Sequence, residues 1–373
     1  MITFNHILVS RLISFSKGLG ILLVFSHHFA RSVWSSQNLP EPLLQQWQFS
    51  TEAHKFSPLV NTLFEGKIFE SLMLFFAYFG YVGVHLFVIS SGIGLALGYR
   101  ENETWKKFML RRLTKIVPAF WAAVVLYSVL WWLVGNGQTL GVILRKMFMV
   151  SMFYESEFFA IDAPLWFLGL IFQLYVIFPF LYRLAAKYDF YPLLILVAIS
   201  YSARYLLSLP AIESRHTYLG HANFMTWLPI FYLAILVGYH LRDNKQITCK
   251  LQSMLVVGLG SLILSIVALN VQMIYPLVST ALAVFAACVS ICLYWLSGRL
   301  AKYMIIVGNV SYAIYLYHRP VVDKLLILMD KKNLNDQTNL FIVYIALFVS
   351  MVIIFKLISS INHPVLKVIF PRG

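Results

Sequence analysis

The sequence predicts an all-α fold: one polytopic integral membrane bundle of about ten transmembrane helices, with both termini cytoplasmic. Composition points there first. Hydrophobic residues fill 60% of 373 positions and charged residues only 12%, against about 25% charged in soluble domains. No soluble fold of this size covers so much apolar surface. The second observation is that the apolar residues come in runs of about 20, the length that crosses a bilayer as a helix. The runs lack strand alternation, and in lipid only helices or closed barrels satisfy their own backbone. The third is the placement of lysine and arginine, which favours alternate loops.

In chain order the spans are expected at 11–32, 68–97, 116–134, 164–182, 191–209, 223–241, 254–270, 275–296, 303–327 and 339–360. The first resembles a signal peptide in having Arg11 and Lys17 ahead of the apolar run 19–25. But His27, His28 and Arg31 follow, and no small-x-small cleavage site is evident, so it is kept as a span. The apolar segment 140–153 is too short to cross and reads as a re-entrant or interfacial helix. With the N-terminus inside, the inner loops carry 18 of the 29 Lys and Arg and 4 of the 15 Asp and Glu. That leaves equal numbers of each sign outside, so the net charge of +14 belongs to the inner face. The charge therefore needs no nucleic-acid partner. The chain shows no repeat, low-complexity stretch or long linker, and one domain over 1–373 is expected, with no appended soluble domain. Cys249, Cys288 and Cys292 are too few for a disulfide scaffold and are read as reduced and structural; no metal site is expected.

Ionisable groups inside spans suggest function. Lys17 and His28 are eleven residues apart, about three turns, which puts them on one helix face about 16 Å apart. A cation at the cytoplasmic mouth suits a phosphate, and an imidazole in the bilayer suits a general base. His27 lies about 100° round the helix. Spacing alone also allows either histidine simply to hydrogen-bond neighbouring helices. His85, within Gly83-Val84-His85-Leu86-Phe87-Val88-Ile89-Ser90-Ser91-Gly92, is a third buried imidazole, within reach of His28 if the two helices pack. The small residues around it equally permit close helix approach. Arg111-Arg112-Leu113-Thr114-Lys115 ahead of Pro118 suits a polyphosphate, or anchors the topology. Further on come Leu165-Trp166-Phe167-Leu168, Gln173 and Tyr175. Then comes Ser311-Tyr312-Ala313-Ile314-Tyr315-Leu316-Tyr317-His318-Arg319-Pro320, whose His318 and Arg319 lie toward the outer end of their span. The two outer loops 33–66 and 135–163 carry aromatic residues and Glu that could grip an acceptor, or rest on the membrane.

These residues, in this order, resemble the family-3 membrane acyltransferases, ten-span bacterial enzymes that O-acylate surface glycans and related molecules. The family's Arg-Gly with a His after ten intervening residues looks like Lys17-Gly18 and His28. Its Gly-Val-Asp-Leu-Phe-Phe-Val-Leu-Ser-Gly looks like Gly83 to Gly92. Its Arg-x-x-Arg before x-x-Pro looks like Arg112 and Lys115 before Pro118. Leu165 to Leu168 with Gln173 and Tyr175, and Ser311 to Pro320, match two further motifs. The resemblance implies acyl-CoA as co-substrate, with no permanently bound cofactor. Its phosphates would lie on Lys17, Arg112 and Lys115. The donated acyl group, expected to be acetyl, would pass to a hydroxyl of a surface glycan or exopolysaccharide outside the bacterial cytoplasmic membrane. His28 would be the general base and His85 would share or compete for that role. Ser91, Trp166, Gln173, His318 and Arg319 would support the acceptor side. The chain departs from the family in three ways: Lys replaces Arg at 17 and 115, which loses the bidentate fork. His85 stands for the usual Asp, and Ile171 and Phe172 stand where many members carry Glu. The competing readings are a transporter or flippase of a lipid-linked glycan, which would use the buried histidines and Arg319 as relays, and a non-catalytic assembly or sensor subunit.

Overall fold

The computed structural model describes residues 2–33, 57–207, 222–242, 247–334 and 336–361. Each of the ten expected spans coincides with a helix or with a bent pair. They are α1 (His6–Val33), α3 (Ile68–Phe79) with α4 (Val82–Leu97), α5 (Trp105–Leu133), α7 (Trp166–Tyr188), α8 (Pro192–Leu207), α9 (Leu228–Arg242), α10 (Leu251–Asn270), α11 (Val278–Leu296), α12 (Ala301–Lys331) and α13 (Gln337–Ser360). Short α2 (Ser57–Phe64) and α6 (Leu140–Met147) complete the α-helices among the described residues. Seven of these are long and apolar enough to cross a membrane on length and composition alone, and α3 and α4, bent by 50° at their junction, qualify together. The protein is a polytopic membrane helical bundle.

One boundary differs from expectation in a way that matters. The third span was expected to begin at 116, after a loop carrying the basic cluster; instead α5 begins at Trp105. Thr104 caps it, its hydroxyl accepting from the Lys107 amide at 3.4 Å, and Lys, Arg, Leu and Met are good helix formers. The cluster therefore sits on helical turns. Arg112 and Lys115, three apart, share a face, while Arg111 points about 100° away.

Glycines set the centre of the bundle. A Cβ on Gly308 of α12 would fall onto the Ser14 carbonyl of α1, and one on Gly18 onto the Met304 carbonyl. On the other flank of α1, a Cβ on Gly83 of α4 would strike the Gly20 carbonyl. Lipid gives no hydrophobic drive for helices to associate, so such backbone approach supplies the packing that holds α1 between α4 and α12. α4 meets α9 in the same way, Gly92 against Ala234 and Gly238 against Ile93.

α6, expected as a re-entrant or interfacial helix, lies in a segment that runs back along α5. The Trp121 indole donates to the Met147 carbonyl at 3.0 Å, and the Trp131 indole to the Ile161 carbonyl at 2.8 Å. Those tryptophans are ten residues apart on α5, about 15 Å. The segment after α5 thus turns at Gly135 (φ 79°), descends beside the helix and climbs back. At the opposite end, Ile2–Phe4 (β1) pairs antiparallel with Ile247–Cys249 (β2), Ile2 opposite Cys249. This puts the N-terminus and the segment ahead of α10 on one side of the bundle.

Candidate active site

The site grows from α1 and α12, which the glycines bring into backbone contact. At that closeness their side chains one to three turns further out must meet. His28 and His318 do, with Nδ1 of His28 2.7 Å from Nε2 of His318 and the rings stacked at 4.9 Å. The protons follow from the remaining partners. Nδ1 of His318 lies 3.0 Å from both the Ile314 and Tyr315 carbonyls. A carbonyl only accepts, so that nitrogen carries hydrogen and, in the neutral ring, Nε2 holds a lone pair. His28 must then donate from Nδ1, and its own Nε2 is left bare as a base. This assignment comes from the hydrogen-bond network. His318 is fully buried, whereas His28 is only partly covered. The outer neighbours are also fixed: Asp323 accepts from Ser32 Oγ at 2.6 Å and from Arg319 Nε at 3.1 Å, which ties the outer ends of α1 and α12.

Below the histidines lies a cavity of about 620 Å³ between α1, α4, α5, α7 and α12. Lys17, Arg112 and Lys115 line one end, Ser90, Ser91 and Ser311 its middle, and Phe87, Phe167 and Tyr315 its far end. The cations are not equivalent. Arg111, outside the cavity, is tied up by both oxygens of Glu103, whose carboxyl is held below its usual range chiefly by that bond. Arg112 has no carboxylate partner among the described residues, and its buried Nε has no hydrogen bond. Lys17 and Lys115 likewise make no ion pair among the described residues. Three cations without a carboxylate partner among the described residues thus gather round one mouth, and their charge suits a multiply charged anion.

The family model described as an acyltransferase domain matches residues 13–359, which takes in the first span, the cation mouth and the histidine pair. The chain belongs to acyltransferase family 3. No curated protein and no solved structure matches it. For a family-3 acyltransferase, the pairing of a bare imidazole nitrogen with a cation-lined cavity is the chemistry to explain.

The other expected residues fall in different places. His85 is not beside His28. Gly83 faces α1, and two residues on is about 200° round α4, so the His85 ring points the other way, Nε2 2.9 Å from Ser279 Oγ and packed on Trp227. Ser91, grouped with the acceptor, lies in the cation-lined cavity 3.3 Å from the Tyr175 hydroxyl. Gln173 is spent on backbone: Nε2 donates to the Ala222 carbonyl at 2.7 Å and Oε1 accepts from the Phe224 amide at 3.3 Å. Trp166 is stacked between Tyr81 and Phe158. His27 donates from Nδ1 toward the Phe76 carbonyl at 3.2 Å, a helix-to-helix bond. Of the two outer loops, most of the first lies outside the described residues. The second folds on itself, Glu157 taking the Arg145 guanidinium at 2.7 Å and Arg145 covering Tyr154.

Sequence reasoning missed Asp323, Asp162 and Lys146. Asp323 was findable as the i+4 partner of Arg319. Asp162 and Lys146 were not, because their burial comes from the turn that the segment after α5 makes beside that helix. Lys146 is 1% exposed and donates to the Phe158 carbonyl at 3.0 Å; burial lowers it to about 8. Asp162 is 6% exposed with Oδ2 unpaired; burial raises it to about 7, against the pull of Arg319 and Lys146. Among the described residues no group of three His, Cys, Asp or Glu could hold a metal ion.

Proposed function

We propose that this acyltransferase takes an acyl group, acetyl in the simplest case, from acyl-CoA on the cytoplasmic side of a bacterial cytoplasmic membrane and places it on a hydroxyl of an extracytoplasmic glycan. The observation that carries the reading is the bare Nε2 of His28, held by His318, three turns above a mouth of three uncompensated cations. The phosphates of the donor lie on Lys17, Arg112 and Lys115. The pantetheine arm runs up the cavity past Ser90 and Ser91, and the thioester reaches His28. The acceptor hydroxyl gives its proton to Nε2 of His28 as its oxygen bonds to the thioester carbon. The C–S bond then breaks, and the departing thiolate takes the proton from the imidazolium. The ester and free CoA leave with no net proton change. His318 keeps the lone pair of His28 aimed.

Mass spectrometry of surface polysaccharide from cells with and without the gene tests the acceptor. A mass difference of one acyl group per repeat, present only with the gene, is the expected result. Identical glycans, together with no consumption of acyl-CoA by membranes containing the protein, would refute the reading.

A further inference from the structure

The cavity stops one turn short of the histidines. On α12 the lining residues climb from Ser311 and Tyr312 to Tyr315, and His318 lies three residues higher, about 4.5 Å. On α4 they climb from Gly94 through Ser91 to Phe87, and on α7 from Tyr175 through Ile171 to Phe167. Three helices thus end the cavity at one depth, each with an aromatic ring. The rings touch one another: Phe87 to Tyr315 at 6.2 Å, Phe167 to Tyr315 at 5.6 Å and Phe87 to Phe167 at 6.1 Å. Tyr315 also touches His318 at 6.2 Å. A thioester entering with its CoA held at the mouth must pass this ceiling to meet His28.

We propose that Phe87, Phe167 and Tyr315 form a size filter between the donor cavity and His28, so that this enzyme accepts only acyl groups of a few carbons, with Phe87 as the ring that sets the limit. The inference rests on the acyl-CoA reading above and adds the residues that decide acyl length. Tyr315 cannot yield, since its hydroxyl is bonded to the Pro164 carbonyl. Phe167 is buried. Phe87 is only partly covered and is the least covered ring of the three. A two-carbon acyl group needs a small displacement of one ring. An eight-carbon chain would have to hold all three apart, against packing that behaves as a solid rather than a fluid.

The test uses inside-out vesicles from cells expressing the full chain, supplied with radiolabelled acetyl-CoA, butyryl-CoA or octanoyl-CoA, with transfer of label to non-lipid acceptor as the readout. Each surplus methylene in a tight apolar passage discriminates by about 10–200-fold, so the wild type is expected to favour acetyl over octanoyl by at least about 100-fold. Phe87→Ala should shrink that ratio at least about tenfold by raising octanoyl transfer. Phe87→Leu, the gentler change should Phe87→Ala not accumulate, should relax the acetyl-to-butyryl ratio in the same direction. Equal use of acetyl and octanoyl by the wild type overturns the filter without any variant, as does an unchanged ratio in folded variants. Transfer from no acyl-CoA at all overturns the donor reading, and the filter with it.

Discussion

A histidine that donates from Nδ1 can accept a proton only at Nε2, and in this protein that commitment is made by a second histidine rather than by a carboxylate. A carboxylate would hold the resulting imidazolium by charge. A neutral imidazole whose own proton is locked on the Ile314 and Tyr315 carbonyls holds it by direction alone. The role of His318 is therefore positional, and its variants separate the two ideas. His318→Phe should lower kcat while leaving the donor KM near wild type, because no ground-state contact to CoA is lost. His318→Gln, whose side-chain oxygen can still accept from His28, should recover part of that loss. Equal damage in the two would make His318 a packing residue only. His27→Ala should matter far less to kcat than changes at His28, since its nitrogen is bonded to the Phe76 carbonyl on another helix.

The same scale explains what Asp162 does to stability. A carboxyl raised to about 7 on folding, from about 3.9 unfolded, holds its proton more tightly in the folded state. Its contribution favours folding while protonated and is withdrawn as pH climbs from about 4 through 7. In detergent, Asp162→Asn should therefore melt higher than the wild type at pH 8, and the gap should narrow as pH falls toward 4. A wild type that gains on the variant with rising pH would mean that Asp162 is ion-paired when folded.

At the scale of elements, the arrangement depends on α1 being gripped from both sides. Gly308 and Gly18 let α12 reach α1, and the His28–His318 bond forms only because they do. A Cβ at Gly308 must push the helices apart. Overpacking of this kind costs about 1–3 kcal/mol, so Gly308→Ala should lower the melting temperature and reduce transfer together. α5 makes the second elemental statement. Its helical register sends Arg112 into the cavity and Arg111 to Glu103. Arg112→Ala should raise the KM for acyl-CoA several-fold, with a weaker salt dependence, and Arg111→Ala should not. If the two neighbours behave alike, the cluster only anchors topology.

For the molecule as a whole, the membrane class, the helical segments and the order of the motifs could be read from composition, run length and charge placement, because lipid leaves the backbone few alternatives. The shared helix face of Lys17 and His28 was legible from their spacing, whereas the facing of Arg112 was not, because its cluster was expected in a loop ahead of the third span. The partner of His28 was not. Sequence put His85 within reach of it if the two helices packed together; they do, but the facing of α4 could not be fixed until Gly83 was seen against Gly20. The burial of Lys146 and Asp162 was hidden for a similar reason, since a short apolar segment does not announce how deep it turns. At this scale the proposed function amounts to a direction: donor from the side of Lys17 and Arg112, acceptor from the side of Arg319. The most direct measurement of that claim supplies saturating radiolabelled acetyl-CoA to the cytoplasmic face of sealed inside-out vesicles and follows label into the enclosed acceptor. The wild type should transfer it, and His28→Ala, folded and still binding acetyl-CoA, should be slower by about 10²–10⁴-fold; transfer by His28→Ala within about tenfold of wild type would contradict the account.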